Sequence, residues 1–227
     1  MIEKYLVKKI TEPVDWKVTV PGSKSMTNRA LLMAVLSAGT VRVEGVLFSD
    51  DSRHFLACLV ALGFTVEIEE EKKCVTVTGC GGRIPRGEAV IDVGSAGTAA
   101  RFLAAMLGFS DGCYEIRCSA QMKRRPMAEL FDLLSGAGAK ITFLEEEGHL
   151  PVRITGCRYA RADKTAGETP RELSLDITKS TQFLSALLLI APMVPEGMKI
   201  HITSEKTDGS YIRITRKMMQ EFGVSVA

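Results

Sequence analysis

The segment Pro21–Arg29, PGSKSMTNR, combines a glycine, several hydroxyl groups and two cations, and an apolar run, ALLMAVL, follows it. A helix that begins here directs its free N–H groups at whatever lies ahead of it, and Lys24 and Arg29 add positive charge. Gly22 allows a close backbone approach. The segment therefore predicts a binding site for a phosphate or a carboxylate. The alternative is a capped helix with surface cations, and the spacing is not that of a Walker P-loop.

Two further segments repeat this design with different side chains. Gly94–Arg101, GSAGTAAR, places Arg101 where the first segment has Arg29. Lys179–Gln182, KSTQ, has the neutral Gln182 at that place, and an amide with both a donor and an acceptor suits a hydroxyl better than a phosphate. Taken alone, the first of these segments is equally consistent with ordinary structure and with anion binding, and the second is more typical of an ordinary N-cap.

Two charged segments precede the second set of helices. Lys123–Pro126, KRRP, puts cations at a helix start, where the dipole disfavours them by about 0.3–1 kcal/mol, and a bound anion would compensate. A solvated basic loop is the alternative. Ser49–His54, SDDSRH, puts acids at a helix start, where the dipole favours them, and we interpret it as structural.

The elements around these segments form three copies of one pattern. Each copy has a helix that is apolar on nearly every side, then a strand, then an amphipathic helix that ends at a glycine. Those glycines are Gly63, Gly138 and Gly223, which are 75 and 85 residues apart. In copies one and two a hairpin follows, with polar turns EEEKK and EEEGH. The unit is strand, helix, strand, helix, strand, strand. If the copies stack about a pseudo-threefold axis, the apolar helices all begin at one end, and their dipoles act on the same ligand as Lys24, Arg29 and Arg125.

The third copy stops at Val224–Ala227, before its hairpin, so we expect the chain to be a fragment.

The chain has 227 residues, of which 46% are hydrophobic and 25% are charged, and its formal net charge is +2. These values favour an ordinary globular protein and neither a nucleic-acid nor a membrane-surface partner. No signal peptide is expected, and the apolar stretch 183–194 is far shorter than the ~20 residues that span a bilayer. Three histidines and six cysteines without a CxxC pair predict reduced thiols in the cytoplasm and no metal site.

Six motifs, in this order along nearly the whole chain, resemble those of the EPSP synthase family of enolpyruvyl transferases. They are PGSKSMTNRA (21–30), SDDSRH (49–54), GSAGTAAR (94–101), KRRPM (123–127), KSTQFLSALL (179–188) and SYIRIT (210–215). The resemblance implies a two-domain enzyme roughly twice this length. Each domain would be an inverted α/β barrel of three βαβαββ repeats, with helices inside and sheets outside. Residues 1–20 would belong or cross to the missing second domain, and residues 21–227 would form the N-terminal domain with an incomplete third repeat.

The resemblance also implies an activity: transfer of the enolpyruvyl group of phosphoenolpyruvate to shikimate-3-phosphate, by addition and elimination with release of phosphate, on the chorismate branch of aromatic amino acid biosynthesis. No cofactor is implied. The residues implied for shikimate-3-phosphate are Lys24, Ser25, Arg29, Ser180, Thr181, Gln182 and Tyr211. Those implied for phosphoenolpyruvate are Lys24, Gly97, Arg125 and Gln182. Lys24, which faces both ligands, is the catalytic candidate. The family's acid–base residues lie in the second domain, so the fragment alone is expected to bind shikimate-3-phosphate without turnover.

Three positions depart from the family pattern. Ser95 replaces a common Asn, Gln121 replaces a frequent Arg, and Asp208 stands where a phosphate-binding Ser is often found. An acid beside a phosphate is repulsive, so Lys206 or Ser210 is the expected substitute. Two alternative functions are that of the sister transferase that acts on UDP-N-acetylglucosamine and that of a non-catalytic anion-binding domain. The sister family has Lys-Asn in its first motif and a reactive loop cysteine, and this sequence matches neither feature.

Overall fold

The apolar runs form helices close to where the sequence predicts them. The computed structural model describes residues 6–157, 171–178, 180–195, 197–205 and 207–226. Within these residues the helices are α1 (Lys24–Leu36), α2 (Asp50–Ala61), α3 (Gly97–Gly108), α4 (Ala120–Lys123), α5 (Ala128–Gly136), α6 (Gln182–Ile190) and α7 (Ser210–Glu221), and a 3-10 turn (Ala191–Met193) follows α6. The strands are β1 (Ala38–Glu44), β2 (Thr65–Glu69), β3 (Cys74–Cys80), β4 (Glu88–Asp92), β5 (Cys113–Arg117), β6 (Lys140–Phe143), β7 (Val152–Thr155), β8 (Arg171–Leu175) and β9 (Met198–Ile202).

The predicted side-chain caps form at some helix starts only. The Ser23 hydroxyl accepts from the Met26 N–H at the start of α1, and Ser49 and Ser52 form a reciprocal capping box at the start of α2. No side chain caps α3 or α6 at the residue before the helix. The expected side-chain cap is therefore not seen at α3 among the described residues, whereas at α6 the Ser180 hydroxyl, two residues before the first residue of the helix, accepts from the Gln182 N–H.

The predicted helix ends are confirmed. Gly63, Gly138 and Gly223 follow α2, α5 and α7, with φ of 91°, 96° and 80°. This left-handed conformation is disfavoured for residues with a Cβ, which explains why each amphipathic helix ends at a glycine.

Three helices are buried along most of their length. All twelve residues of α3 are buried, as are nine of thirteen in α1 and seven of nine in α6. These three helices pack against one another. The interior of the chain is therefore helical, as the uniformly apolar runs predict.

The strands lie in three sheets that repeat one arrangement. The first sheet has the order β1-β3-β2, the second β4-β5-β7-β6 and the third β8-β9. In the first and second sheets, the last strand of an antiparallel hairpin pairs with the strand that follows the buried helix. In the second and third, the strands before and after the buried helix pair in parallel. The second sheet thus contains all four strands of the predicted repeat, and the first and third sheets each contain some of them.

Each sheet has one apolar and one charged face. Val75, Val77 and Ile116 are fully buried and belong to the core. The opposite faces carry exposed ion pairs such as Arg42–Glu69 in the first sheet, Arg153–Glu115 in the second and Lys199–Glu172 in the third. Exposed pairs of this kind contribute little to stability, so burial of the apolar faces must dominate.

Residues 6–20 contain no helix or strand and are exposed, including Trp16 at 69%. Among the described helices, none combines the length and the apolarity that crossing a membrane would need.

The close approach of β3 to the end of α1 gives a test of this packing. A Cβ at Gly79 would lie 2.2 Å from Ser37 O and 2.4 Å from Ala34 O, both backbone atoms. We expect Gly79→Ala to lower the free energy of unfolding by on the order of 2 kcal/mol or more, because the strand must move away from the helix. Urea denaturation measures this change.

The matched control is Gly136→Ala, since Gly136 is an exposed residue of α5 whose Cβ would meet no atom within 4 Å. The same substitution should raise the free energy of unfolding there by about 0.4–1 kcal/mol, because alanine restricts the unfolded chain and fits the helical conformation of this last residue of α5. Equal effects at the two glycines would contradict the packing described here.

Candidate functional site

A cavity of about 210 Å³ lies where α1, α3 and α6 begin. Its lining residues are Lys24, Ser25, Arg29, Asp51, Gly97, Thr98, Arg125, Gln182 and Tyr211. Lys24, Gly97 and Gln182 are the first residues of the three buried helices. The first turn of a helix has unpaired N–H groups and the positive end of the dipole, so three such ends meet at one cavity.

The cavity brings together seven of the nine residues that the sequence singled out. Ser180 and Thr181 are the exceptions, because they lie just before Gln182 without lining the cavity. The Ser180 hydroxyl accepts from the Gln182 N–H at 3.2 Å, so it is engaged at the start of α6. Lys179 lies outside the described residues.

Arg29 is a buried cation with only 2% of its surface exposed. Its Nη1 donates to Ser25 O at 3.1 Å, and its other nitrogens donate to two hydroxyls. The rings of Phe102 and Tyr211 lie 5.2 and 5.6 Å from its Cζ. Burial lowers the pKa of Arg29 to about 10, with a smaller opposing effect from Tyr211. Among the described residues no carboxylate pairs with it, so its charge faces the cavity uncompensated.

Arg101 repeats this arrangement one copy later, as the sequence predicts. Its Nη1 donates to Gly97 O at 2.9 Å, four residues earlier in the chain, as Arg29 does to Ser25 O. Its Nε is buried without a hydrogen-bond partner. Burial and, next, repulsion from Arg125 lower the pKa of Arg101, and Glu129 opposes this shift.

Gly97 is the point at which two guanidinium groups approach a helix start. A Cβ at this position would lie 2.6 Å from Arg125 Nη1 and 2.8 Å from Arg101 Nη1. The glycine therefore lets two cations stand beside the unpaired N–H groups of α3. Like charges this close repel each other, and an oxyanion between them would remove the repulsion.

Two interpretations of the sequence need correction. The close approach at Gly22 is to Gly45, whose backbone oxygen would lie 2.2 Å from a Cβ there, so this glycine serves packing. Asp51, interpreted as structural, lines the cavity, and its Oδ2 lies 3.2 Å from Lys24 Nζ. Nothing in the local sequence indicates this pair, because the two residues are 27 positions apart and meet only through the packing of α1 on α2.

The positions that depart from the family pattern lie away from the cavity lining. Asp208 is 2.5 Å from Arg213 Nη1 and lines a separate groove beside β9. Its pKa is lowered by the Gly209 N–H and by Arg213. Ser210 begins α7, and Lys206 lies outside the described residues. Asp208 therefore brings no negative charge into the cavity lining.

The cavity thus offers three cations, hydroxyls, an amide and the starts of three helices, with one carboxylate that is tied to Lys24. These groups suit the binding of a polar ligand that carries phosphate or carboxylate groups. Among the described residues no cluster of three His, Cys, Asp or Glu side chains is placed to hold a metal ion.

Comparison with known proteins agrees with this chemistry. A family model described as EPSP synthase (3-phosphoshikimate 1-carboxyvinyltransferase) matches residues 8–227. A 3-phosphoshikimate 1-carboxyvinyltransferase of a Sulfurovum species is 42% identical over 214 residues, which make up 94% of this chain and 48% of that protein. One from Psychromonas ingrahamii is 38% identical over 228 residues, with 99% and 51% covered. The chain spans about half the length of the curated relatives it matches.

Solved structures give the same family. EPSP synthase from Acinetobacter baumannii matches with a TM-score of 0.74 and 27% identity, over 92% of this chain and 44% of that one. The enolpyruvyl transferase NikO from Streptomyces tendae matches with a TM-score of 0.53 and 18% identity, over 81% and 39%, which is a likeness of fold alone. The mixed α/β fold, the extent of the family match and the identity to its members lead to one conclusion: the chain belongs to the EPSP synthase family.

Proposed function

We propose that this chain supplies one half of an enzyme that transfers the enolpyruvyl group of phosphoenolpyruvate to shikimate-3-phosphate and releases phosphate. Family membership and the chemistry of the cavity support this function together. Both substrates are phosphorylated, and phosphoenolpyruvate also has a carboxylate. A site for them needs several positive groups in a fixed arrangement and neutral polar groups for the sugar hydroxyls.

The observation that carries the proposal is the uncompensated charge of Arg29 at the meeting point of three helix starts. A buried cation without an acid loses hydration and gains no ion pair, so its neighbourhood favours a bound anion. Each charge-assisted hydrogen bond contributes roughly 1.5–3 kcal/mol, so a few are enough for micromolar binding of a phosphate ester before ordering costs.

The roles of individual residues are part of the proposal. Shikimate-3-phosphate would be held by Lys24, Ser25, Arg29, Ser180, Thr181, Gln182 and Tyr211. Phosphoenolpyruvate would be held by Lys24, Gly97, Arg125 and Gln182. The grouping of seven of these nine residues around one cavity supports this assignment. Lys24 is 48% exposed at its edge, where it can reach both ligands, and its Asp51 partner would restrain its position.

The architecture is proposed to be the inverted α/β barrel of the family, with a second domain that completes the active site. Three sheets with charged outer faces around three buried helices support the barrel. We propose that residues 1–20 belong or cross to the second domain, which agrees with the exposure of residues 6–20, and that residues 21–227 form the N-terminal domain. A cytoplasmic location is part of the same proposal.

Turnover separates this function from that of a non-catalytic anion-binding domain. The full-length protein should release phosphate when both substrates are present, and residues 1–227 alone should bind shikimate-3-phosphate without releasing phosphate. Appreciable turnover by residues 1–227 alone would show that the essential groups are not in another domain. No turnover by the folded full-length protein would refute the proposed reaction.

The first site prediction concerns Arg29. Arg29→Ala should abolish calorimetrically detectable binding of shikimate-3-phosphate. The substitution removes the buried charge and the guanidinium N–H groups that are not already bonded to protein oxygens. Arg42→Ala is the matched control, since Arg42 lies on the exposed face of β1 and pairs with Glu44 and Glu69. Binding that survives in Arg29→Ala would eliminate the proposed role of this residue.

The second concerns Arg125 and its neighbour. Arg125→Ala in the full-length protein should raise the KM for phosphoenolpyruvate about tenfold or more, because one of the two cations beside Gly97 is lost. Arg124→Ala changes the adjacent arginine, which does not line the cavity, and should leave this KM within about twofold. Similar KM changes in both variants would indicate a general effect of surface charge instead of a specific contact.

A further inference from the structure

Two buried hydroxyls, one on the apolar helix α6 and one on the amphipathic helix α7, hold the guanidinium of Arg29. Ser185 on α6 and Thr215 on α7 both have 0% exposure. Arg29 Nε donates to Thr215 Oγ1 at 2.7 Å, and Arg29 Nη2 donates to Ser185 Oγ at 3.0 Å. The two hydroxyl oxygens are themselves 3.2 Å apart. Three helices are thereby joined through one side chain.

These two residues are not on the cavity wall, so a direct contact with a ligand is not their role. Hydroxyls that face the apolar interior are costly unless they are hydrogen-bonded. Thr215 meets this requirement fully, because its proton also points to Tyr211 O at 2.7 Å. The same threonine thus connects Arg29 to the backbone of the residue whose ring lies beside the guanidinium.

The number of N–H donors on Arg29 shows how many of them are left to bind a ligand. A guanidinium has five N–H groups, one on Nε and two on each Nη. Thr215, Ser185 and Ser25 O take three of them, one from each nitrogen. One N–H on each Nη remains, and such a pair can bind a phosphate or carboxylate in bidentate fashion.

We propose that Thr215, assisted by Ser185, is a positioning residue that fixes the orientation of Arg29, so that its two remaining N–H groups face the phosphorylated sugar. This inference rests on the proposed function, since it assigns Arg29 to the shikimate-3-phosphate part of the site. A neutral hydroxyl suits this task better than a carboxylate, because it holds the guanidinium without neutralising the charge that the ligand needs.

The test is Thr215→Val, which keeps the shape of the side chain and removes its hydrogen bonds. In the full-length protein the KM for shikimate-3-phosphate should rise about tenfold, because Arg29 Nε loses its acceptor and the guanidinium turns to find another. The KM for phosphoenolpyruvate should change less than about twofold. Thr215→Ser restores the hydroxyl and should bring the KM for shikimate-3-phosphate to within about threefold of the parent value.

Two further variants separate positioning from a loss of stability. Thr27→Val removes a buried hydroxyl that accepts from the Leu47 N–H, and it should lower the melting temperature without the tenfold change. In an Arg29→Lys background, Thr215→Val should have less than about a twofold further effect, because lysine has no Nε–H for the threonine to hold. If Thr215→Val does not fold, Ser185→Ala tests the same network and should raise the same KM.

The outcomes also distinguish this inference from the function on which it rests. A parent protein that folds but does not bind shikimate-3-phosphate contradicts the proposed function. A parent that binds it, together with a folded Thr215→Val whose KM is unchanged, overturns the positioning role alone. An effect of Thr215→Val that is equally large in the Arg29→Lys background also overturns it.

Discussion

The structure depends on one constraint. Three helices are buried on nearly every side, so their first turns must lie at a place where no other part of the backbone covers them. An apolar helix can bury its sides but not its unpaired N–H groups, which need a partner. In this chain the starts of α1, α3 and α6 share one cavity, and no side chain of the described residues caps α3 there. The unpaired N–H groups of the backbone make the cavity positive even before side chains are considered, and Arg29 adds a charge that no acid of the described residues pairs with.

The repeated fold places chemically different residues at equivalent positions. Lys24, Gly97 and Gln182 each begin a buried helix, and in each copy the following strand ends twenty residues later. One position supplies a cation, the next supplies space for two guanidinium groups, and the third supplies a neutral amide. A symmetric scaffold can thus build an asymmetric site, as the two proposed substrates, which differ in charge and shape, would need.

Local features of the sequence were sufficient to predict the buried and amphipathic helices, but not the short helix α4, and the strand expected after Gly223 is not seen in residues 224–226. Apolar runs and terminal glycines set the helices, because each depends on residues within a few positions of one another. To predict that Lys24, Arg125 and Gln182 meet, one further assumption was needed, namely that the three copies stack about an axis. Pairings across the core could not be predicted in this way. The packing of helices and strands sets each of these contacts, which join Asp51 to Lys24, Gly22 to Gly45 and Ser185 to Arg29. The spacing of these residues along the chain does not indicate that they meet.

The central claim is that the shared start of the three buried helices is where the phosphorylated sugar binds. A crystal structure of the protein with shikimate-3-phosphate tests it most directly. The account predicts ligand oxygens within hydrogen-bond distance of Arg29, Ser25 and the first turn of α6, with the Arg29 contacts to Thr215 and Ser185 intact. A ligand bound instead in the separate grooves beside β1 or β9, with no contact to Arg29, would contradict it.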